Sequence, residues 1–253
     1  MENNQTISHQ LTHRTFREFT TDPVPEKVID TLKKVVQWTA SSTGKQASSV
    51  IRVTDPELKK QISEVCKQEY VARAPELWIF IADNARNVQI AKEVDSFAEG
   101  SADVRKFFAA YGDACLNVQN TYNAIESLGY GGVILGSIGN DPARVIELLH
   151  LPKYTFPVLG LAFGKPNQNP EQKPRMSMDF RFFENSYPEL DNILEQIADY
   201  DREMGTYYDL RNANQRVDKF STQLAKYYAK PDEERQNMLK LIESQGFNLK
   251  PLD

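Results

Sequence analysis

The chain has 253 residues, 40% of them hydrophobic, which is enough to bury a sizeable core, and one compact unit is the expectation. A formal net charge of -5 gives no general attraction to polyanions, which argues against nucleic-acid binding and makes any phosphate site a local one. No apolar run approaches the roughly 18 residues that span a bilayer, no apolar leader opens the chain, and the two cysteines, Cys66 and Cys115, lack metal spacing, so the expectation is a soluble, cytoplasmic protein with inert core thiols.

The first stretch that carries chemistry is His13-Arg14-Thr15-Phe16-Arg17. Run extended, it turns His13, Thr15 and Arg17 to one face and lets Phe16 anchor the other in a core. Two guanidiniums, a hydroxyl and an imidazole suit a phosphate, although a solvated basic turn ahead of a helix has the same composition. Pro25 then opens a helical pattern in which Val28, Ile29, Leu32, Val35 and Val36 recur at helical spacing, ending near Trp38. Small polar residues from Ala40 to Gln46 lead into a strand over 49–54. Gly44-Lys45 fails as a P-loop, because no glycine stands five residues before Gly44, Gln46 follows the lysine, and the loop leaves a helix instead of a strand. The loop reads either as a linker or as a source of hydroxyls and an amide for a polar ligand.

Asp55-Pro56 caps the next helix, whose end carries Gln68 ahead of a strand over 77–83 that is apolar on both faces and therefore expected at the sheet centre. The longest element is a helix from about Ser101 to Leu128, on the order of 40 Å at 1.5 Å per residue, the axle of the core. The glycine-dense segment 129–139 follows it. That segment misses the dinucleotide G-x-G-x-x-G spacing at Ile134 and leaves a helix, so it reads equally as a glycine-capped turn or as a place where main-chain amides meet a flat ligand. A short helix from Asp141-Pro142 to Leu149 precedes a buried strand over 156–164, and Lys173-Pro174-Arg175 sets two cations about a proline in an irregular segment. Helical patterns at about Pro188 to Glu203 and Pro231 to Gln245 bracket a polar stretch, 205–216, expected to be mobile or to rest on a partner.

In this order and spacing the stretches resemble the group A bacterial nitroreductases, NADPH-preferring flavoenzymes that carry FMN. The matching pieces are His13 to Arg17 for the family's H-R-S-x-R, Ser41, Ser42 and Gln46 in the loop after the helix, Gln68, the run from Glu126 to Val133, and Lys173-Pro174-Arg175. The resemblance implies an α+β sandwich, a mainly antiparallel central sheet of about five strands surrounded by helices, in an intertwined homodimer. It implies one domain over 1–253, with 188–253 as a C-terminal extension over the partner and the cofactor face. It also implies that His13, Arg14, Thr15 and Arg17 hold the FMN phosphate and part of the ring, with Thr15 in place of the usual serine. Ser41, Ser42 and Gln46 would reach the same flavin from the partner, and Gln68 would meet its pyrimidine edge. Tyr130, Gly131 and Gly132 would lie against the ring, while Lys173 and Arg175 would add cations near the phosphate. Arg211 and Arg216, in the family's arginine-bearing loop, would bind NADPH.

Two departures stand out: Gly139 replaces an arginine often seen after the glycine-rich turn, and Gly44 suggests a roomier substrate face. The activity implied is ping-pong two-electron reduction of nitroaromatics, quinones or related small-molecule acceptors, without a side chain acting as general acid. The alternatives are a flavin reductase releasing reduced FMN and a flavin-binding redox sensor without turnover.

Overall fold

The structure is a computed structural model and describes residues 4–94, 99–209, 215–231 and 237–249, of which 99, 208, 209, 215 and 216 are described in backbone only. It divides into two compact units, the first Met1–Asn169 with Glu233–Asp253, the second Pro170–Asp232. The segment expected as an extension from 188 is thus shared, its last part belonging to the first unit.

The first unit begins with α1 (Gln5–Leu11), α2 (Glu26–Gln37), β1 (Ser48–Val53), α3 (Pro56–Cys66) and α4 (Tyr70–Arg73). It continues through β2 (Glu76–Asp83), α5 (Ala85–Glu93), α6 (Val104–Ser127), β3 (Gly131–Leu135), α7 (Pro142–Leu148) and β4 (Thr155–Gly164). The strands form one antiparallel sheet in the order β1-β2-β4-β3, with Ile51 opposite Ile79, Ile79 opposite Gly160 and Leu161 opposite Ile134. The expected α+β class and antiparallel sheet hold. The fourth strand, β3, occupies the glycine-dense segment that the sequence pattern left between a turn and a ligand contact.

β2 is central because both its faces find a core. Trp78, Phe80 and Ala82 point to the cluster containing Phe107, Ala110, Ala114, Val118, Tyr122 and Ile125 of α6. The alternate residues Leu77, Ile79 and Ile81 point to the cluster containing Ile62, Val65 and Cys66 of α3 and Val145 of α7. A strand's period of two therefore divides one apolar run between two helical layers. Each fully buried side chain of this kind contributes about 1.5–3 kcal/mol, and Phe80→Ala would cost about 3–5 kcal/mol by opening a cavity between sheet and α6.

α6 starts where Asp103 accepts a hydrogen bond from Arg105 N. It stops in a Schellman arrangement at Gly129, φ 78°, with Tyr130 N donating to Ile125 O (2.9 Å) and Gly129 N to Glu126 O (3.0 Å). The glycine cap weighed for this position is therefore present. Asp55 and Asp141 likewise cap α3 and α7 ahead of Pro56 and Pro142, as their Asp-Pro pairs predict.

The second unit holds α8 (Ile193–Gln196), α9 (Ala198–Thr206), the ribbon of β5 (Tyr208–Asp209) and β6 (Gln215–Arg216), and α10 (Phe220–Tyr228). Within it Asp201 of α9 accepts from Ser221 N at 2.8 Å, securing the first turn of α10, and Tyr200 meets Phe220 edge to face at 5.3 Å. α11 (Met238–Ser244) belongs again to the first unit, where Phe247 beyond it packs on Phe107 at 5.0 Å. Among the described residues no helix is long and apolar enough to cross a membrane. Among them no cluster of His, Cys, Asp and Glu is suited to hold a metal ion.

Candidate functional site

The segment 13–17 lies along β3, the last strand of the sheet order, and the sequence attaches it there with three contacts. Phe16 N donates to Gly132 O at 2.9 Å, continuing the backbone pairing beyond the strand. The Tyr122 hydroxyl, from the buried stripe of α6, donates to the same carbonyl and lies 3.1 Å from the carbonyl of Arg14. Burial, and after it the Glu126 carboxylate, push the Tyr122 phenol well above its ordinary range, so it remains a donor. The Phe16 ring lies so close to Gly131 that a Cβ there would stand 2.5 Å from it, and a Cβ at Gly132 would stand 2.8 Å from Ile125 Cδ1. These two glycines are thus fixed by packing, a requirement the sequence pattern does not disclose.

On this support the polar side chains of the segment take up separate partners. His13 Nδ1 is 2.9 Å from Glu126 Oε1, and its ring meets Tyr122 edge to face at 5.0 Å. A carboxylate only accepts, so Nδ1 carries the hydrogen, and a protonated ring offers Nε2–H as a second donor. Arg14 Nη1 donates to Asn169 Oδ1 at 3.3 Å, while Arg14 Nε is buried with no hydrogen-bond partner among the described residues. A buried N–H without an acceptor costs about 1–3 kcal/mol, and an anionic oxygen would relieve it. Thr15 and Arg17 are half-buried in the same segment, Arg17 near enough to act electrostatically on Tyr122.

Gln68 follows α3, and its Oε1 accepts from Tyr70 Oη (2.7 Å) and Ser137 Oγ (3.1 Å), which leaves the NH2 as the donor end. Ser137 stands five residues beyond Gly132, so the amide and the 13–17 segment are associated with opposite ends of β3. Cys66, next to this group, is buried, and burial pushes its thiol up, as it does that of Cys115, so neither is a thiolate nucleophile.

Ser41, Ser42 and Gln46 lie elsewhere. Their loop carries three residues in the left-handed region, Thr43, Gly44 and Gln46, at φ 52°, 65° and 51°. It is held by the buried Asp113 of α6, which accepts from Ser42 N at 2.6 Å and Ala47 N at 3.1 Å. Arg86 and Asn87 of α5 donate to the carbonyls of Gln46 and Lys45. From residue 113 to residue 126 the α6 axis advances about 20 Å, so within one chain this loop and His13 are attached to distant parts of the same helix.

In the second unit Arg175 is exposed and its Nη1 donates to Lys173 O at 3.2 Å. Arg211 lies outside the described residues, and Arg216 is described only by its backbone pairing with Tyr208. Gly139 has open space where a side chain would stand, and so does Gly44, whose positive φ nevertheless disfavours other residues. Asp113, Tyr122, Glu126 and Asn169 are the supporting residues that the sequence reading did not assign. Asp113 had a signal, since with Asn117 and Thr121 it places polar groups at helical spacing inside an apolar stripe.

Comparison with known proteins finds the model "Nitroreductase family" over residues 11–165 and "Nitroreductase family, C-terminal domain" over 173–250. The oxygen-insensitive NADPH nitroreductase of Salmonella typhimurium is 36% identical over 243 residues, covering 96% of this chain and 98% of that protein. Among solved structures, NfrA2 of B. megaterium superposes with a TM-score of 0.89 at 31% identity, covering 98% of this chain and 100% of that one. The NADPH:FMN oxidoreductase of Vibrio harveyi, solved with NAD+, gives 0.85 at 31% identity over the same shares of the two chains.

Proposed function

Because the chain belongs to the nitroreductase family, we propose that it is an NADPH-dependent FMN oxidoreductase whose flavin lies along β3. The observation that carries the reading is the attachment of the 13–17 segment to β3 through Phe16 N and Gly132 O, with a buried Arg14 Nε that has no acceptor among the described residues. The donor set fits FMN: cations and a hydroxyl for a phosphate at one end of β3, and an amide donor for a ring edge at the other. When bound, FMN supplies hydride transfer, taking two electrons from NADPH and passing them to a nitroaromatic, a quinone or free flavin in a separate half-reaction.

The residues divide the remaining work. Arg17 and Arg14 neutralise the phosphate, with His13 beside them, and Thr15 adds a hydroxyl donor. Gln68, its oxygen occupied by Tyr70 and Ser137, turns its NH2 to the pyrimidine edge, where a fixed donor stabilises negative charge. Main-chain amides around Tyr130, Gly131 and Gly132 are assigned to contact with the ring. No side chain is assigned to move a proton, and solvent supplies it.

The site is completed by a second copy of the chain. The loop of Ser41, Ser42 and Gln46 is held by Asp113 through Ser42 N and Ala47 N, about 20 Å along α6 from Glu126, a distance that favours service to the partner's flavin. α6 also exposes Phe108 (65%) and Leu116 (49%), apolar surface that a partner would cover. Purified protein should be yellow with one FMN per subunit, should be bleached by anaerobic NADPH, and should scatter light as a dimer. A colourless protein that fails to take up added FMN, or an FMN-replete monomer, would overturn the reading.

A further inference from the structure

We propose that Gln168 is an additional contact of the FMN phosphate in this chain, an inference that rests on the assignment of residues 13–17 to that phosphate. Gln168 Nε2 is buried with no hydrogen-bond partner among the described residues. The segment that carries it returns from β4 alongside the chain leaving the 13–17 motif. Phe19 bridges Pro166 in antiparallel fashion, Thr20 N donates to Lys165 O at 2.9 Å, and Asn167 N donates to Glu18 O at 2.9 Å. Continued by one step, this register sets Gln168 level with Arg17, and directly opposed residues of an antiparallel pair share a face. Beyond it, Arg14 Nη1 donates to Asn169 Oδ1 at 3.3 Å, so side chains of the two stretches still reach one another there.

The group awaiting a partner is a donor, so its partner is an acceptor. Two guanidiniums and a histidine in the 13–17 segment select an anionic acceptor over a neutral one, and a phosphate has oxygens enough for several donors at once. A neutral amide at this place adds a directed hydrogen bond without further charge, which orients the phosphate that the arginines attract.

The test compares wild type, Gln168→Ala, Gln168→Glu and Arg17→Ala as FMN-loaded protein. FMN retention is measured by equilibrium ultrafiltration, and the phosphate is observed directly by 31P NMR. Gln168→Ala should weaken FMN retention about tenfold and displace the 31P resonance while leaving the visible flavin spectrum unchanged. Gln168→Glu, which sets a carboxylate beside the phosphate, should weaken retention about a hundredfold, and it decides if the alanine variant does not fold. Retention within twofold of wild type, or an unmoved 31P resonance, overturns the proposal. If that happens while Arg17→Ala releases FMN, only the role of Gln168 falls; if Arg17→Ala also retains FMN, the phosphate assignment itself fails.

Discussion

Asp113→Asn isolates the half of the site that sits away from the phosphate motif. Asp113 is 1% exposed, and its two oxygens accept separately from Ser42 N and Ala47 N. Asparagine keeps one acceptor and turns an NH2 toward the other backbone N–H, so one charge-assisted bond of about 1.5–3 kcal/mol is lost and one buried donor faces another. A cost of about 2–4 kcal/mol follows, concentrated in the loop because Arg86 and Asn87 still hold its Gln46 and Lys45 carbonyls. Urea unfolding would report the global part of that cost, and FMN retention the part felt by the cofactor, where about 1.4 kcal/mol is tenfold. Co-expression with Arg17→Ala adds a test of connectivity. If the loop serves the partner's flavin, a mixed dimer has one site with both lesions and one with neither, and it retains a single tightly held FMN. If the loop served its own chain, every site would carry one lesion and none would bind at wild-type strength. An Asp113→Asn protein that matches wild type in both stability and FMN retention would refute the claim that this carboxylate organises the loop.

Arg17→Ala should weaken FMN binding by about 1.5–3 kcal/mol, read as flavin lost on dialysis, with the fold intact by circular dichroism. Gly131→Ala should destabilise the fold by about 1–3 kcal/mol, because the new methyl would stand 2.5 Å from the Phe16 ring and lift the phosphate segment off β3; an unchanged urea midpoint would count against that packing. Arg211→Ala and Arg216→Ala should each raise the NADPH KM about tenfold or more while barely affecting NADH, since a guanidinium suits the 2′-phosphate that only NADPH carries. If neither variant narrows the NADPH-to-NADH ratio of kcat/KM, those arginines do not read the nucleotide.

The sheet centre and the axle helix were legible in the sequence because their causes are local and periodic. β2 is apolar on both faces, α6 repeats its buried residues at helical spacing, and Asp55, Asp141 and Gly129 punctuate helix ends by their own chemistry. β3 was not legible for the opposite reason: its glycines answer to Phe16, more than a hundred residues earlier, and to Ile125 on the preceding helix. The candidate site divides in the same way. Side-chain types at 13–17 announce an anion, but what aims them is Glu126 on His13, Asn169 on Arg14 and Tyr122 across the backbone, pairings that no spacing encodes. α6 carries the consequence furthest. One rigid helix holds Asp113 under the serine loop and Glu126 against His13, which fixes the separation between those attachment points. On the proposed reading, a cofactor that takes donors from both sets recruits them from two copies of that helix, and the mixed dimer described above is the arrangement in which that reading is tested.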